Sequence, residues 1–188
     1  MSSASVTGGL AILRQRDFTR YLCARFCTSL AVQMIIIAVG WQVYHLTGRV
    51  LDLGLIGLSQ FLPFLCLSLF AGHAADLYDR RVIIGLCMLA FAICTALLLA
   101  FALRGISSAV PIFAVLALFG VARAFLLPAS QSFLPNIVPM DSLGHAVAIN
   151  SSTFQVASIA GPSAGGLLYA LGEASHRAGG GAVYVYGV

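Results

Sequence analysis

With 60% of its 188 residues hydrophobic and only 9% charged, the chain cannot keep its own surface wet; a soluble domain of this size carries about 25% charged residues. The mean hydropathy of +0.99 therefore points to an outer surface that faces lipid. The formal charge of +4 arises from ten arginines, with no lysine, against six acidic residues; scattered arginines without a basic, aromatic-interleaved stripe fit an anionic membrane face and exclude nucleic acid as a partner.

The N-terminal stretch Met1 to Leu13 lacks an early positive charge, and its apolar part is short before Arg14, Arg16 and Arg20. It does not read as a secretory signal, and residues 1–20 are expected to be a cytoplasmic segment. Five runs then follow, each near the roughly 20 residues that a bilayer core requires. The first extends from about Tyr21 to Leu46, with its most apolar part at Phe26–Leu46. The others are Leu53–Ala75, Val82–Leu103, Ala109–Leu127 and Leu143–Leu171. Backbone groups in lipid must be satisfied within the segment, so runs of this length are helices; the strand alternation of a membrane barrel is absent. The fold class expected is all-α, a polytopic transmembrane helical bundle occupying residues 21–188.

Breakers separate the runs. Thr47-Gly48-Arg49 follows the first, Gly72–Arg81 the second and Arg104–Ser108 the third, while Pro128, Pro135 and Pro139 punctuate the fourth. Asp52 and Asp141 each precede an apolar run, where a carboxylate caps free N–H groups and meets the positive end of the helix dipole. Arg14, Arg16, Arg20 and Arg25 precede the first run and Arg80 and Arg81 follow the second, against only Arg49, Arg104 and Arg177 on the opposite side. The positive-inside rule puts the N-terminus and the Asp76–Arg81 turn in the cytoplasm. Trp41 and Tyr44 near one end of the first run, and Tyr21 near the other, are placed as interfacial anchors. After a glycine-rich stretch, residues 181–188 begin a further apolar run too short to span, which reads as a sixth helix cut short.

Cys23, Cys27, Cys66, Cys87 and Cys94 all lie within apolar runs, an odd set that offers neither a disulfide framework nor metal-ligand spacing. No metal or cofactor is expected. No Ser/His/Asp set, paired-histidine zinc motif or phosphate-cradling loop is present, so no enzyme is expected either.

The stretch "GHAADLYDRR" concentrates Asp76, Asp79, Arg80 and Arg81 just after Gly72. A tight turn between spanning helices uses a glycine for close approach. Its arginines, costing about 2.5–3.5 kcal/mol each to pull into lipid, pin the turn at the surface. Asp76 is spaced to pair with Arg80 at i,i+4 or to face the N-terminus of a neighbouring helix, either as a breakable latch or as a plain surface loop. In "GPSAGG", Ala157, Gly161 and Gly165 recur every fourth residue and form a groove for close helix packing, and Pro162 removes one backbone bond beside it. Arg123 is a charge inside the fourth run; such a group faces the bundle interior or a watery cavity, or snorkels toward the nearer surface. Gln33, Asn150 and Gln155 are candidate cavity groups or interhelical hydrogen-bonding groups. His73, His145, His45 and His176 fall near helix ends and read as interfacial. No Asp or Glu lies in the middle of any run, so a proton-coupling carboxylate is not apparent.

Gly72, Asp76, Arg80 and Arg81 match the signature between helices 2 and 3 of the major facilitator superfamily, and Gly161, Pro162, Gly165 and Gly166 resemble the helix 5 antiporter motif of its exporters. Leu77 stands at the signature's first basic position and Asp79 at its second glycine. With "AVGWQVYHLTG" and "RAFLLPASQSFLPNIVP", the chain resembles the branch holding macrolide-efflux and enterobactin-export proteins, from about Asp17 onward. The family's helix 4 arginine falls at Leu116, so its role is not carried to Arg123. The resemblance implies the N-terminal half of a secondary exporter: five full helices and the start of a sixth, rocking against a C-terminal half that is absent here. It further implies a small-molecule substrate, a proton or other coupling ion, a gate at Asp76–Arg81 and a bacterial inner-membrane location. The alternative is a half-module that does not transport.

Overall fold

The computed structural model describes residues 15–105, 108–174 and 180–187, and every regular element among them is helical. In chain order these are α1 (Arg16–Thr47), α2 (Val50–Leu77), α3 (Arg80–Arg104), α4 (Val110–Phe133), α5 (Leu143–Ala174) and the short α6 (Gly180–Tyr186). Two 3-10 turns, Leu134–Asn136 and Met140–Ser142, link α4 to α5. Helices α1 to α4 are long and apolar enough to cross a membrane. At 32 residues α5 has the length, but Asn150, Ser151, Ser152, Thr153 and Gln155 dilute its apolar character.

Glycine terminates two of these helices for a conformational reason. Gly48 closes α1 at φ 64° and Gly105 closes α3 at φ 62°, left-handed positions where a side chain would be strained. Elsewhere helix persists further than the breakers suggest. The expected connection at Gly72–Arg81 contracts to Tyr78 and Asp79: α2 continues to Leu77 and α3 starts at Arg80. Ala74, Ala75 and Leu77 favour helix, and charge alone does not stop one. Asp79 supplies the boundary. Its backbone is extended and its side chain accepts a bond from the Arg81 N–H at 2.9 Å, capping α3. Asp52 has no such role, because α2 is preceded by Arg49 and lacks a side-chain cap; Asp52 lies in the first turn and is buried. The side chain of Asp141 lies outside the described set, as do residues His176 and Arg177.

Pro128 likewise fails to end α4, which runs on to Phe133. The proline removes one backbone bond, a loss that membrane helices tolerate. Side-chain hydroxyls turn back on their own helix: Thr95 bonds the Phe91 carbonyl, Ser130 that of Leu126 and Thr153 that of Ile149. Lipid offers them no water, so these three hydroxyls are satisfied within their own helices.

The helices do not pack in sequence order. The broadest contacts are α2 with α4 and α1 with α5, followed by α3 with α4, while the consecutive α2 and α3 scarcely touch. Exchanging α1, α2 and α3 for α4, α5 and α6 maps the α1–α5 pair onto the α4–α2 pair. Both pairs cross over glycine. A Cβ at Gly120 of α4 would run into the Gln60 carbonyl of α2, and one at Gly161 of α5 would sit 2.5 Å from the Gln33 Cβ of α1. At Gly165 the obstacle is backbone, the Met34 Cα at 2.9 Å. Lipid supplies little hydrophobic drive between helices, so this close van der Waals approach is what holds the bundle.

Buried residues from α1, α2, α3, α4 and α6, with Tyr169 of α5, form one continuous core from Met34 to Val43 on α1 and from Ile112 to Ala122 on α4. Phe91 and Phe119 meet near its centre with rings 4.5 Å apart. Toward the end where Arg16, Arg20, Arg80 and Arg81 gather, the core divides in two. One branch joins Phe18 of α1 to Leu134, Val138 and Ala146. The other joins Ile83 and Cys87 of α3 to Ala129 of α4.

Candidate functional site

Three side chains tie the arginine-rich end to α4. Arg80 Nη1 donates to the Ser132 carbonyl at 2.9 Å, and the Arg81 guanidinium lies 5.9 Å from the centre of the Phe133 ring. On the other side Tyr21 of α1 donates its hydroxyl to the Ser130 carbonyl at 3.3 Å, and its ring lies 5.8 Å from that of Phe133. All three reach the last turn of α4. Its free carbonyls carry the negative end of the helix dipole, so a guanidinium or hydroxyl donor there satisfies acceptors that have no helical partner.

This arrangement alters the expected turn. The Arg80 bond goes to α4, and Asp76, in the last turn of α2, has its side chain outside the described set. Gly72 does not serve a close approach: a Cβ there would meet nothing within 4 Å, because α2 and α3 splay rather than pack. In the α5 motif, Gly161 and Gly165 press on α1 as their spacing suggests, whereas Gly166 faces open space. Pro162 sits inside α5 without interrupting it.

The cavity candidates separate. Gln33 packs against Gly161 at the α1–α5 crossing and is a contact residue. Gln155 is exposed. The Asn150 Oδ1 is buried with no hydrogen-bond partner among the described residues, as are Ser158 Oγ and, on α1, Arg25 Nε. Arg123 is exposed although it lies on a face of α4 that is otherwise covered. Leu116 and Ser130 stand seven residues to either side, within about 20° of the same direction, and are 1% and 4% exposed. Of these three positions only Arg123 is exposed. It lies about 10 Å along α4 from Ser130, where Tyr21 joins α1 to α4. A groove between α1 and α5 is lined by Cys23, Cys27, Ser152 and Thr153.

The opposite end is closed. Tyr186 of α6 donates to Gln42 Oε1 at 2.8 Å, and Trp41 and His45 of α1 stack near Tyr169 of α5 at 6.1 Å and 6.4 Å. Sequence reasoning read Arg25 only as a charge before the first run, did not give Asp79 its capping role and did not single out Gly120. Gly120 had a signal, an isolated glycine in an apolar helix. Asp79 had one too, an aspartate immediately before a helix start.

A bundle of long apolar helices with its charges gathered at one end is the architecture of a multi-pass membrane protein. The chain belongs to the Major Facilitator Superfamily, whose family model matches residues 21–185; this is a transporter family rather than an enzyme class. Among curated proteins, the multidrug efflux pump Tap of Mycolicibacterium fortuitum is 31% identical over 141 residues, covering 72% of this chain and 34% of that protein. The staphyloferrin A transporter of Staphylococcus aureus is 28% identical over 142 residues, with the same coverage of 72% and 34%. The matched stretch thus spans about a third of the length of either relative. No solved structure matches the chain.

Proposed function

We propose that this chain forms one of the two bundles of a secondary active transporter that exports small molecules across a bacterial plasma membrane by alternating access. The observation that supports the reading is the asymmetric core, continuous at the Trp41 end and resolved into two smaller clusters at the arginine-rich end. A bundle of that shape opens to one side of the membrane. Its exposed faces, among them Leu69 at 83% and Ile159 at 75% exposure, are left for lipid or for a second bundle. The arginine-rich end lies in the cytoplasm, in keeping with the positive-inside rule, and Asp76, Arg80 and Arg81 gate it by holding or releasing the end of α4. The relatives are named as an efflux pump and a siderophore transporter, which favours export. Coupling to a proton or another ion is part of the proposal, although the described spans hold no acidic residue at mid-depth to bind it.

Efflux measures this directly. Cells expressing the protein as its genome encodes it are loaded with a panel of fluorescent dyes, and dye loss is followed with and without a protonophore. The proposal expects energy-dependent loss of at least one dye, slowed several-fold by Asp76→Asn at equal membrane abundance. Uniform retention across the panel, matching cells without the protein, would favour the non-transporting module.

A further inference from the structure

We propose that Cys23 and Cys27 of α1 form a dithiol site for a trivalent arylarsenical, seated in the groove between α1 and α5. The inference goes beyond the transporter reading and does not depend on it. Cys23 and Cys27 stand four residues apart within the uninterrupted helix α1, so their Cβ atoms lie about 5–6 Å from each other on one face. Both are free and exposed, and both line the same groove, of about 570 Å³. Their spacing is not that of a zinc motif, but it is one turn of helix. The other cysteines offer no such pair: Cys66 is exposed on α2 with no cysteine within a turn, and Cys87 and Cys94 are buried.

A disulfide needs Cβ atoms about 3.8 Å apart, so this pair cannot oxidise into one without distorting the helix. A single soft atom inserted between the sulfurs lengthens the bridge by one bond and spares that distortion. The rest of the groove decides which soft centre fits. A structural zinc ion takes four ligands, and among the described residues no three His, Cys, Asp or Glu side chains are grouped to hold a metal. The Thr153 hydroxyl donates to the Ile149 carbonyl at 2.8 Å. Ser152 adds one neutral hydroxyl, and Phe26, Ile149 and Val156 make apolar walls. Trivalent arsenic with an aryl substituent matches both features: two sulfurs complete its coordination, and the ring buries against the walls. The step needs no redox partner. Two S–H bonds and the arsenic–oxygen bonds of an arsenoxide break, two As–S bonds form, and both protons leave with the oxide oxygen as water. Arsenic stays trivalent throughout. A bare soft cation such as silver shares the thiol chemistry but gains nothing from apolar walls, which favour the arylarsenical.

The full-length protein, reduced and held in nanodiscs, is treated with phenylarsine oxide and washed with 2-mercaptoethanol to strip adducts on single thiols. It is then alkylated with N-ethylmaleimide and mapped by peptide mass spectrometry. Cys23 and Cys27 should be alkylated at least about tenfold more slowly than in untreated protein, as two linked bonds imply, and 2,3-dimercaptopropanol should restore both. Cys66 should react as fast as in untreated protein. Cys23→Ser is expected to abolish the protection of Cys27, and Cys27→Ser that of Cys23, with thermal stability unchanged because both side chains are exposed. Undiminished alkylation of the pair after the arsenical, or protection of Cys27 that survives Cys23→Ser, would overturn the proposal. So would a pair that resists maleimide before any treatment. Protection by silver ion without protection by phenylarsine oxide overturns it as well, assigning the thiols to a bare cation. Alkylation is read without transport, so an absence of dye efflux leaves this result standing, and efflux alone does not supply it.

Discussion

The two ends of the bundle are built from the same kinds of helices yet held by different physics. At the Trp41 end, aliphatic and aromatic side chains of six helices form one cluster that includes Phe119, and Tyr186 is hydrogen-bonded to Gln42. At the arginine-rich end the apolar core has split, and hydrogen bonds and ring contacts to the tip of α4 span the gap. Close-packed interfaces in lipid resist deformation because every contact is short-ranged and simultaneous. A few polar attachments break one at a time. The contrast teaches where such a bundle stays rigid and where it moves.

The largest effect should come from attacking the rigid region. Gly120→Leu drives a side chain into the Gln60 backbone, which has nowhere to go; monodisperse protein recovered in detergent should fall to background, while Gly57→Leu, with nothing within 4 Å, leaves it near wild type. Gly120→Ala should cost about 1–3 kcal/mol as overpacking, visible as a lowered unfolding temperature. Gly161→Ala should be milder than Gly120→Ala, because one of its obstacles is a side chain, Gln33, rather than backbone alone.

Next come the attachments at the other end. Arg80→Gln removes a charged bond to the α4 carbonyl, a class worth about 1.5–3 kcal/mol. Hydrogen exchange at residues 130–134 should speed up by tenfold or more, with protection around Phe119 unchanged. Tyr21→Phe keeps the ring contact and loses only a neutral bond, about 1 kcal/mol, so its acceleration should be smaller. The smallest change is local: Asp79→Ala removes the α3 cap, costing about 1 kcal/mol, and should raise exchange at Arg81 and Ile83 without altering the α4 tip.

Much of this contrast could be read in the residues themselves. Apolar runs gave the helices, because lipid leaves the backbone no alternative, and the four-residue spacing of Ala157, Gly161 and Gly165 gave a close crossing that does face α1. The second crossing was hidden, since a lone Gly120 has no periodicity and its partner Gln60 lies 60 residues away. The ends expected at Leu127 and Ala75 fall short of the helix ends at Phe133 and Leu77, because local breakers act on the isolated segment, whereas packing decides whether the chain continues. Among the candidate site residues, Arg123 was visible as a charge in an apolar run. That Leu116 and Ser130 are buried on either side of it is a property of packing between helices that no single run encodes. Gln33 looked identical to a cavity residue until the glycine opposite it was known.

The measurement that tests the account most directly is thiol accessibility at position 123. In a protein whose five native cysteines are replaced, Arg123→Cys and Leu118→Cys are each reacted with a membrane-impermeant methanethiosulfonate in inside-out and right-side-out vesicles. The divided core predicts prompt reaction of residue 123 in inside-out vesicles and slow reaction of residue 118 in both. A residue 123 as silent as residue 118 from either side would contradict it: Arg123 would then lie against lipid.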